Sequence, residues 1–277
     1  MQIGSQFYIA KQVIQMADGS FCRLLSGFEA SEQDGTPVCR IEIVGGQTQF
    51  GIVSLTPDWT PAHVFKAVSN GKAVLMTDSD YARAALYAPG CGDITVKELL
   101  LTAVYSRLVQ YGALLAHASL VDVPGRGGLM FVGRSGIGKT TQAMLWERYR
   151  QAVILNGDKV FLTLGEGGVL AHGNPWNGSS PYKVNGYTRL RGIIALDQAP
   201  TNTIRPLSDM EVMSLYVPHI FMPLWDARLT EAAMETLGQM LPLVPVYAMS
   251  CRPDEEAVAL AERTVFGGQS PEAQCEE

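Results

Sequence analysis

One octapeptide constrains this chain more than any other stretch: Gly133-Arg134-Ser135-Gly136-Ile137-Gly138-Lys139-Thr140, followed by Thr141. It fits GxxxxGK[ST] at every fixed position. Glycines at 133, 136 and 138 allow the backbone to turn successive amides inward, which makes a concavity for an anion. Lys139 adds a positive charge with reach to β- and γ-phosphates, and Thr140 offers a hydroxyl to Mg²⁺. A helix starting there adds its positive dipole end. The flanks agree with this reading. Leu129-Met-Phe-Val132 reads as an apolar strand, and Ala143, Met144 and Trp146 as packing positions of a following helix. Residues 133–141 are therefore expected to hold the phosphates of a nucleotide.

A phosphate loop of this kind works with an acidic partner for its metal, usually at the end of a nearby strand. Asp158 is the candidate. It closes Ala152-Val-Ile-Leu-Asn-Gly-Asp158, 18 residues beyond Thr140, which leaves room for one helix and a returning strand. The plainer reading is a turn aspartate beside Gly157. Thr140 and Asp158 are the expected metal ligands, with Asp158 also a candidate for the chemistry.

Composition bounds the rest. The 277 residues are 47% hydrophobic and 17% charged, enough to bury a core in one large domain or two modest ones. No apolar run approaches about 18 residues, so no membrane-spanning helix is expected. Twenty-one basic against 27 acidic residues, a net charge of -6, argues against broad nucleic-acid binding. Residues 1–8 carry neither a basic nor a long apolar segment, so no secretory signal is expected there. Cys22, Cys39, Cys91, Cys251 and Cys275 are odd in number and far apart. They read as reduced thiols of a cytoplasmic protein, the first four as small buried hydrophobes. His172 and His219 have no carboxylate or cysteine at ligand spacing, so no zinc site is expected. No GxSxG elbow is present.

The hydrophobic pattern divides the chain near residue 92. Before it, the expectation is a β-rich region, 1–92. Val38–Val44 alternates, with Arg40 and Glu42 on one face and Cys39, Ile41 and Ile43 on the other. Asn70-Gly71 between 64–68 and 73–76 reads as a hairpin turn, and 81–87 as a further strand. From Asp93, Val96, Leu99, Leu100, Ala103, Val104 and Leu108 trace a helix face that ends at Gly112. Strands are expected at 118–123, 128–132, 152–155, 160–164, 191–196 and 246–251. Helices are expected after Thr140, at a capping box Ser208-Asp-Met-Glu211, over 230–241, and from Pro253-Asp-Glu-Glu256 to about Val265. The core would span 93–266, with a tail at 267–277.

His117-Ala-Ser-Leu-Val-Asp-Val followed by a short turn and Gly-Leu-Met-Phe-Val-Gly-Arg-Ser-Gly-Ile-Gly-Lys-Thr resembles the core of HPr kinase/phosphorylase, a family related in fold to the phosphoenolpyruvate carboxykinases. Ile154-Leu-Asn-Gly-Asp158 resembles its following strand. Gly173-Asn-Pro-Trp-Asn-Gly178, Leu190–Pro200 and Val246–Glu255 resemble a small subgroup associated with peptide-modification systems. The likeness covers roughly 93–266. It implies an α/β fold, a P-loop HPr-kinase/carboxykinase-like core with a mixed sheet. It further implies His117 lining the active site. One departure stands out. Family kinases carry two adjacent aspartates after the strand, whereas here Gly157-Asp158-Lys159 leaves one carboxylate.

The resulting expectation is an ATP-dependent kinase using Mg²⁺, with GTP as an alternative nucleotide. It would transfer phosphate to a Ser or Thr hydroxyl of a peptide or protein, or to a small hydroxy compound. Lys139, Asp158, His117 and Arg191 would carry the chemistry, and Gly133, Arg134, Ser135, Gly136, Ile137, Gly138, Lys139, Thr140 and Thr141 would bind the nucleotide. Lys183 and Arg189 are further candidates for a phosphate clamp. Asn174, Pro175, Trp176, Asn177 and Ser179 are candidates for an acceptor loop. The alternative is a nucleotide-binding partner protein without transferase activity, which the single carboxylate motivates. A carboxykinase-like decarboxylase is disfavoured by the short chain. Homo-oligomerisation stays open.

Overall fold

The computed structural model describes residues 5–16, 21–31, 34–44, 57–67 and 72–267. The protein is α/β with mixed sheets, and it forms two compact units, Met1–Tyr111 and Gly112–Glu277. The sequence division at residue 92 thus falls just before the helix Asp93–Leu108, which packs within the first unit.

Among the described residues, the first unit holds a six-stranded sheet in the order β1-β2-β3-β6-β5-β4. Its strands are β1 (Ser5–Ile9), β2 (Gln12–Met16), β3 (Cys39–Ile43), β4 (His63–Lys66), β5 (Val74–Thr77) and β6 (Arg83–Tyr87). On β3, Cys39 and Ile41 are fully buried and Arg40 is exposed, as the alternation requires. β4 and β5 pair antiparallel with Lys66 opposite Val74. The Asn70-Gly71 turn itself lies outside the described residues. α1 (Asp93–Leu108) buries all six positions of its expected face. Cys39 and Cys251 are buried, but Cys22 and Cys91 are only half-buried, which corrects the expectation of four buried thiols. Cys275 lies outside the described residues.

The second unit is built on β7 (Leu114–Val123), β8 (Gly127–Val132), β9 (Val153–Asn156), β10 (Lys159–Gly165), β11 (Gly168–His172), β12 (Tyr187–Gln198), β13 (Thr203–Pro206) and β14 (Val246–Cys251). They form an eight-stranded sheet in the order β11-β10-β7-β8-β12-β14-β13, with β9 alongside β7. β8, β12 and β14 run parallel. The first residues of β12 also pair with β11, which closes β10, β7, β8, β12 and β11 into a ring.

Strand periodicity explains how the sheet is covered. On β8 and β12, Leu129, Phe131, Ile194 and Leu196 face one side, where α2 (Lys139–Arg150) and α5 (Glu255–Phe266) contribute Ala143, Trp146, Val258 and Phe266 to a common core. Trp146 is fully buried and meets Phe266 edge to face, with centroids 6.2 Å apart. Leu190 and Ile193 point the other way, toward Tyr216 and Met240 around α3 (Asp209–Leu215) and α4 (Ala227–Met240). The capping box at Ser208 and Glu211 is present, and Asp254 caps α5 through the Ala257 amide at 3.0 Å.

Two expected outcomes follow from this packing. Trp146→Ala should destabilise the protein by about 3–5 kcal/mol, read from the urea midpoint, because the surrounding core cannot collapse onto so large a void. Arg205 and the Ser208 amide and hydroxyl hold the Glu211 carboxyl down to about 2. A depressed carboxyl stabilises the folded state above its ordinary pKa of 4.5, and that contribution is lost as pH falls towards 2. Hydrogen-exchange protection of α3 should therefore weaken over that window, and Glu211→Gln should remove the pH dependence.

Candidate nucleotide site

The site arises where β7 changes partners. Its second half pairs with β9, Leu120 lying opposite Asn156, and its first half pairs with β10, His117 lying opposite Lys159. Gly157 and Asp158 fill the gap between the two strands. The Asp158 carbonyl accepts from the Ala118 amide at 3.0 Å. On the opposite edge of β7, Ala118 is level with Val132, the last residue of β8. The chain therefore leaves β8 at Gly133 beside His117, on the same row as the gap that presents Asp158.

Residues 133–138 join β8 to α2 with Gly133, Gly136 and Gly138 all at positive φ, 143°, 79° and 113°. Side chains other than glycine rarely adopt that backbone, so it fixes the residue type. Lys139 starts α2 and is only 7% exposed. Its Nζ donates to the Gly133 carbonyl at 2.9 Å and to the Arg134 carbonyl at 3.3 Å, so the ammonium lies inside the curl of the loop. The Ser119 hydroxyl, two residues along β7 from His117, donates to the Lys139 carbonyl at 2.9 Å and ties the helix start to the sheet. Burial lowers the Lys139 pKa, with Asp158 opposing the shift. Arg134, Ser135 and Gly136 are exposed on the loop's outer curve.

Thr140 and Asp158 come together. The Thr140 hydroxyl donates to the Gly157 carbonyl at 3.2 Å. Asp158 is three-quarters buried and pairs with Lys159 on one carboxylate oxygen, while the other lies 3.4 Å from His117 Nδ1. His117 Nδ1 also sits 3.1 Å from the Asp158 carbonyl. Burial lowers the His117 pKa below 6.5, Lys139 and Lys159 push the same way, and Asp158 opposes them.

Two buried asparagines hold Asp158 in place. The Asn156 side-chain oxygen accepts from the amides of Asp158 (2.9 Å) and Lys159 (3.0 Å), and its nitrogen donates to the Asn174 carbonyl at 2.9 Å. Asn174 in turn donates to the Lys159 carbonyl at 2.7 Å and accepts from the Trp176 amide. Asn174, Pro175, Trp176 and Asn177 are buried, so the first four residues expected to form an acceptor loop are structural, and only Ser179 is exposed. The loop's next residue, Gly178, is at φ 57°, and a Cβ there would lie 2.7 Å from the Asp158 carboxylate.

The basic residues separate. Lys183 pairs by its backbone with Asn156, close to Asp158. Arg191 does not reach the site. It lies where β12 begins to pair with β8, beside Gly127, with its Nε donating to the Arg126 carbonyl at 3.2 Å, about 16 Å along the sheet from Gly133 at 3.3 Å per residue. The parallel run of β12 beside β8 explains this, because it puts Arg191 level with the β8 start and not its end. Arg189 likewise binds the Gly167 carbonyl.

His219 is the residue that spacing missed. A 3-10 turn, Val217–His219, leads into Ile220, which bridges Ala116, and the Phe221 amide donates to the Leu115 carbonyl at 2.8 Å. The Phe221 ring meets His117 edge to face at 6.4 Å. Burial lowers the His219 pKa, and Lys139 and His117 act in the same direction, so it shares their field. No period or motif links residue 219 to residue 117.

No protein-family model and no curated protein matches the chain. Among solved structures, the HPr(Ser) kinase/phosphatase from Coxiella burnetii aligns at 13% identity with a TM-score of 0.33, over 56% of this chain and 89% of that one. A likeness of that degree leaves the functional reading to the residues themselves.

Asn156→Ala strands two amides and a carbonyl in the interior, and should cost about 2–4 kcal/mol by chemical denaturation. Asn156→Asp keeps the acceptor for both amides and should recover part of that loss.

Proposed function

We propose that this chain is an ATP-dependent phosphotransferase, with GTP as the alternative donor, acting on a Ser or Thr hydroxyl of a peptide or protein or on a small hydroxy compound. The observation that carries this reading is the position of Lys139 Nζ inside a loop of three positive-φ glycines, with Thr140 and Asp158 beside it.

Lys139 now donates to two loop carbonyls, and β- and γ-phosphate oxygens would take over those bonds as charge-assisted ones. The amides of 136–140 and the α2 dipole would hold the same oxygens. The residues fit a magnesium ion: a hydroxyl and one carboxylate, both hard oxygen donors, lie on adjacent segments. Mg²⁺ typically takes only one or two protein carboxylates, its remaining ligands being water and phosphate. Thr140 and Asp158 would hold it, and it would neutralise charge building on the bridging oxygen.

The acceptor oxygen would then bond to the γ-phosphorus as the bond to the β-phosphate oxygen breaks and the nucleoside diphosphate leaves. The hydroxyl proton passes to Asp158 or to water beside it. His117 and His219 would line the space an acceptor enters, and Lys159 balances the charge of Asp158.

A second reading draws on one specific observation. The Asp158 carboxylate is already engaged by Lys159 and faces His117. A protein that binds nucleotide as a signal to a partner enzyme, without transfer, needs no second carboxylate.

Lys139→Ala should weaken Mg·ATP binding about 10–150-fold by calorimetry, the value of a hydrogen bond to a charged group. Asp158→Asn should retain binding while losing its enhancement by Mg²⁺. Unchanged affinity in Lys139→Ala would end the proposal. Tight binding with no labelled phosphate reaching any hydroxyl acceptor would favour the second reading.

A further inference from the structure

β8, β12 and β14 are parallel and end side by side, Val132 level with Ala195 and Gln198 level with Cys251. In open α/β sheets, ligands settle outside the carboxyl ends of such strands. A cleft of about 560 Å³ lies there, within the range of small-ligand sites. Ile137, Leu196 and Cys251 give it apolar surface, and Ala199, Pro200 and Pro253 line it further. It also includes Gly136 and Gly138, so it opens directly from the phosphate loop.

Two polar groups in this cleft are incompletely used. Asp197 is exposed, forms no ion pair among the described residues, and accepts only the Gln198 amide at 2.9 Å. Gln142 is 4% exposed. Its nitrogen donates to Cys251 Sγ at 3.2 Å, and its Oε1 has no partner among the described residues. Both unused groups are acceptors. A ligand matched to them presents donors on an otherwise flat or apolar body.

We infer that this cleft receives the nucleoside of the triphosphate, with Asp197 accepting from a pair of nucleoside donors. The inference rests on the phosphate-loop reading above. Two parts of a nucleoside present such a pair: the vicinal ribose hydroxyls, and the N1–H and N2–H₂ edge of guanine.

Calorimetry separates these sources, using inorganic tripolyphosphate, ATP, GTP and 2′,3′-dideoxy-ATP against wild type, Ala199→Trp, Asp197→Ala and Lys139→Ala. Ala199→Trp should fill the cleft and weaken ATP and GTP at least about tenfold while leaving tripolyphosphate unchanged, which also shows that the variant is folded. Asp197→Ala should cost about tenfold. If the donors are ribose hydroxyls, ATP and GTP lose alike and dideoxy-ATP does not. If they are on guanine, only GTP loses. ATP and GTP binding unchanged in both cleft variants would overturn the inference and leave the phosphate reading intact. Tripolyphosphate binding unchanged in Lys139→Ala would overturn the phosphate reading, as would a wild type that binds neither tripolyphosphate nor ATP.

Discussion

The candidate site depends on a gap in a ladder of hydrogen bonds. β7 is long enough to pair with two strands along one edge, and β9 and β10 do not meet end to end. The residues between them cannot pair as a regular strand, so their backbone groups need other partners. The buried Asn156 side chain takes the Asp158 amide, the Thr140 hydroxyl the Gly157 carbonyl and the Ala118 amide the Asp158 carbonyl, while the buried Asn174 braces the start of β10 through the Lys159 carbonyl. A carboxylate on such a segment is aimed by buried hydrogen bonds and not by its own rotamer freedom. That is how a side chain in a turn is held beside the first residues of a helix.

Charge gathers around this gap in a way the interior tolerates only when it is paired. Lys139 and Lys159 both lie within the field of Asp158; burial and both lysines hold His117 toward its neutral form, and burial, Lys139 and His117 do the same for His219. The cluster carries more potential positive than negative charge. Polyanionic phosphate would complete it, whereas a second carboxylate would only neutralise it. Lys159, next to the single carboxylate, therefore tips the site toward positive charge. The three parallel strands beside it end at a cleft whose unused polar groups are acceptors, which complements the Lys139 ammonium inside the loop at 133–138.

Much of this was legible in residues that act through nearest neighbours. Gly133, Gly136 and Gly138 announce a backbone of positive φ, and Lys139-Thr140 a helix start. The alternation of β8 and the spacing of α1 place their buried faces, because period and burial are coupled within a single element. The capping box at Ser208 reads directly from four residues. What failed were inferences that needed to know which strand lies beside which. Arg191 looked like a clamp because it follows a Gly-rich stretch, yet the parallel register of β12 puts it at the wrong end of the sheet. Asn174 and Trp176 looked like surface recognition residues, but they close the interior against β10. His219 gave no signal, since its approach to His117 is made by Ile220 and Phe221 pairing with β7.

By itself, the sequence determined the positive-φ backbone of the loop at 133–138 and the kinds of element on either side, because those follow from the allowed dihedrals of glycine and from local periodicity. The tertiary structure alone decided that Asp158, His117 and His219 converge on that loop, that Arg191 does not, and that an acceptor-rimmed cleft adjoins it. Convergence of residues a hundred positions apart is set by strand order and register. Those arise from packing the whole unit, and no short stretch of the chain records them.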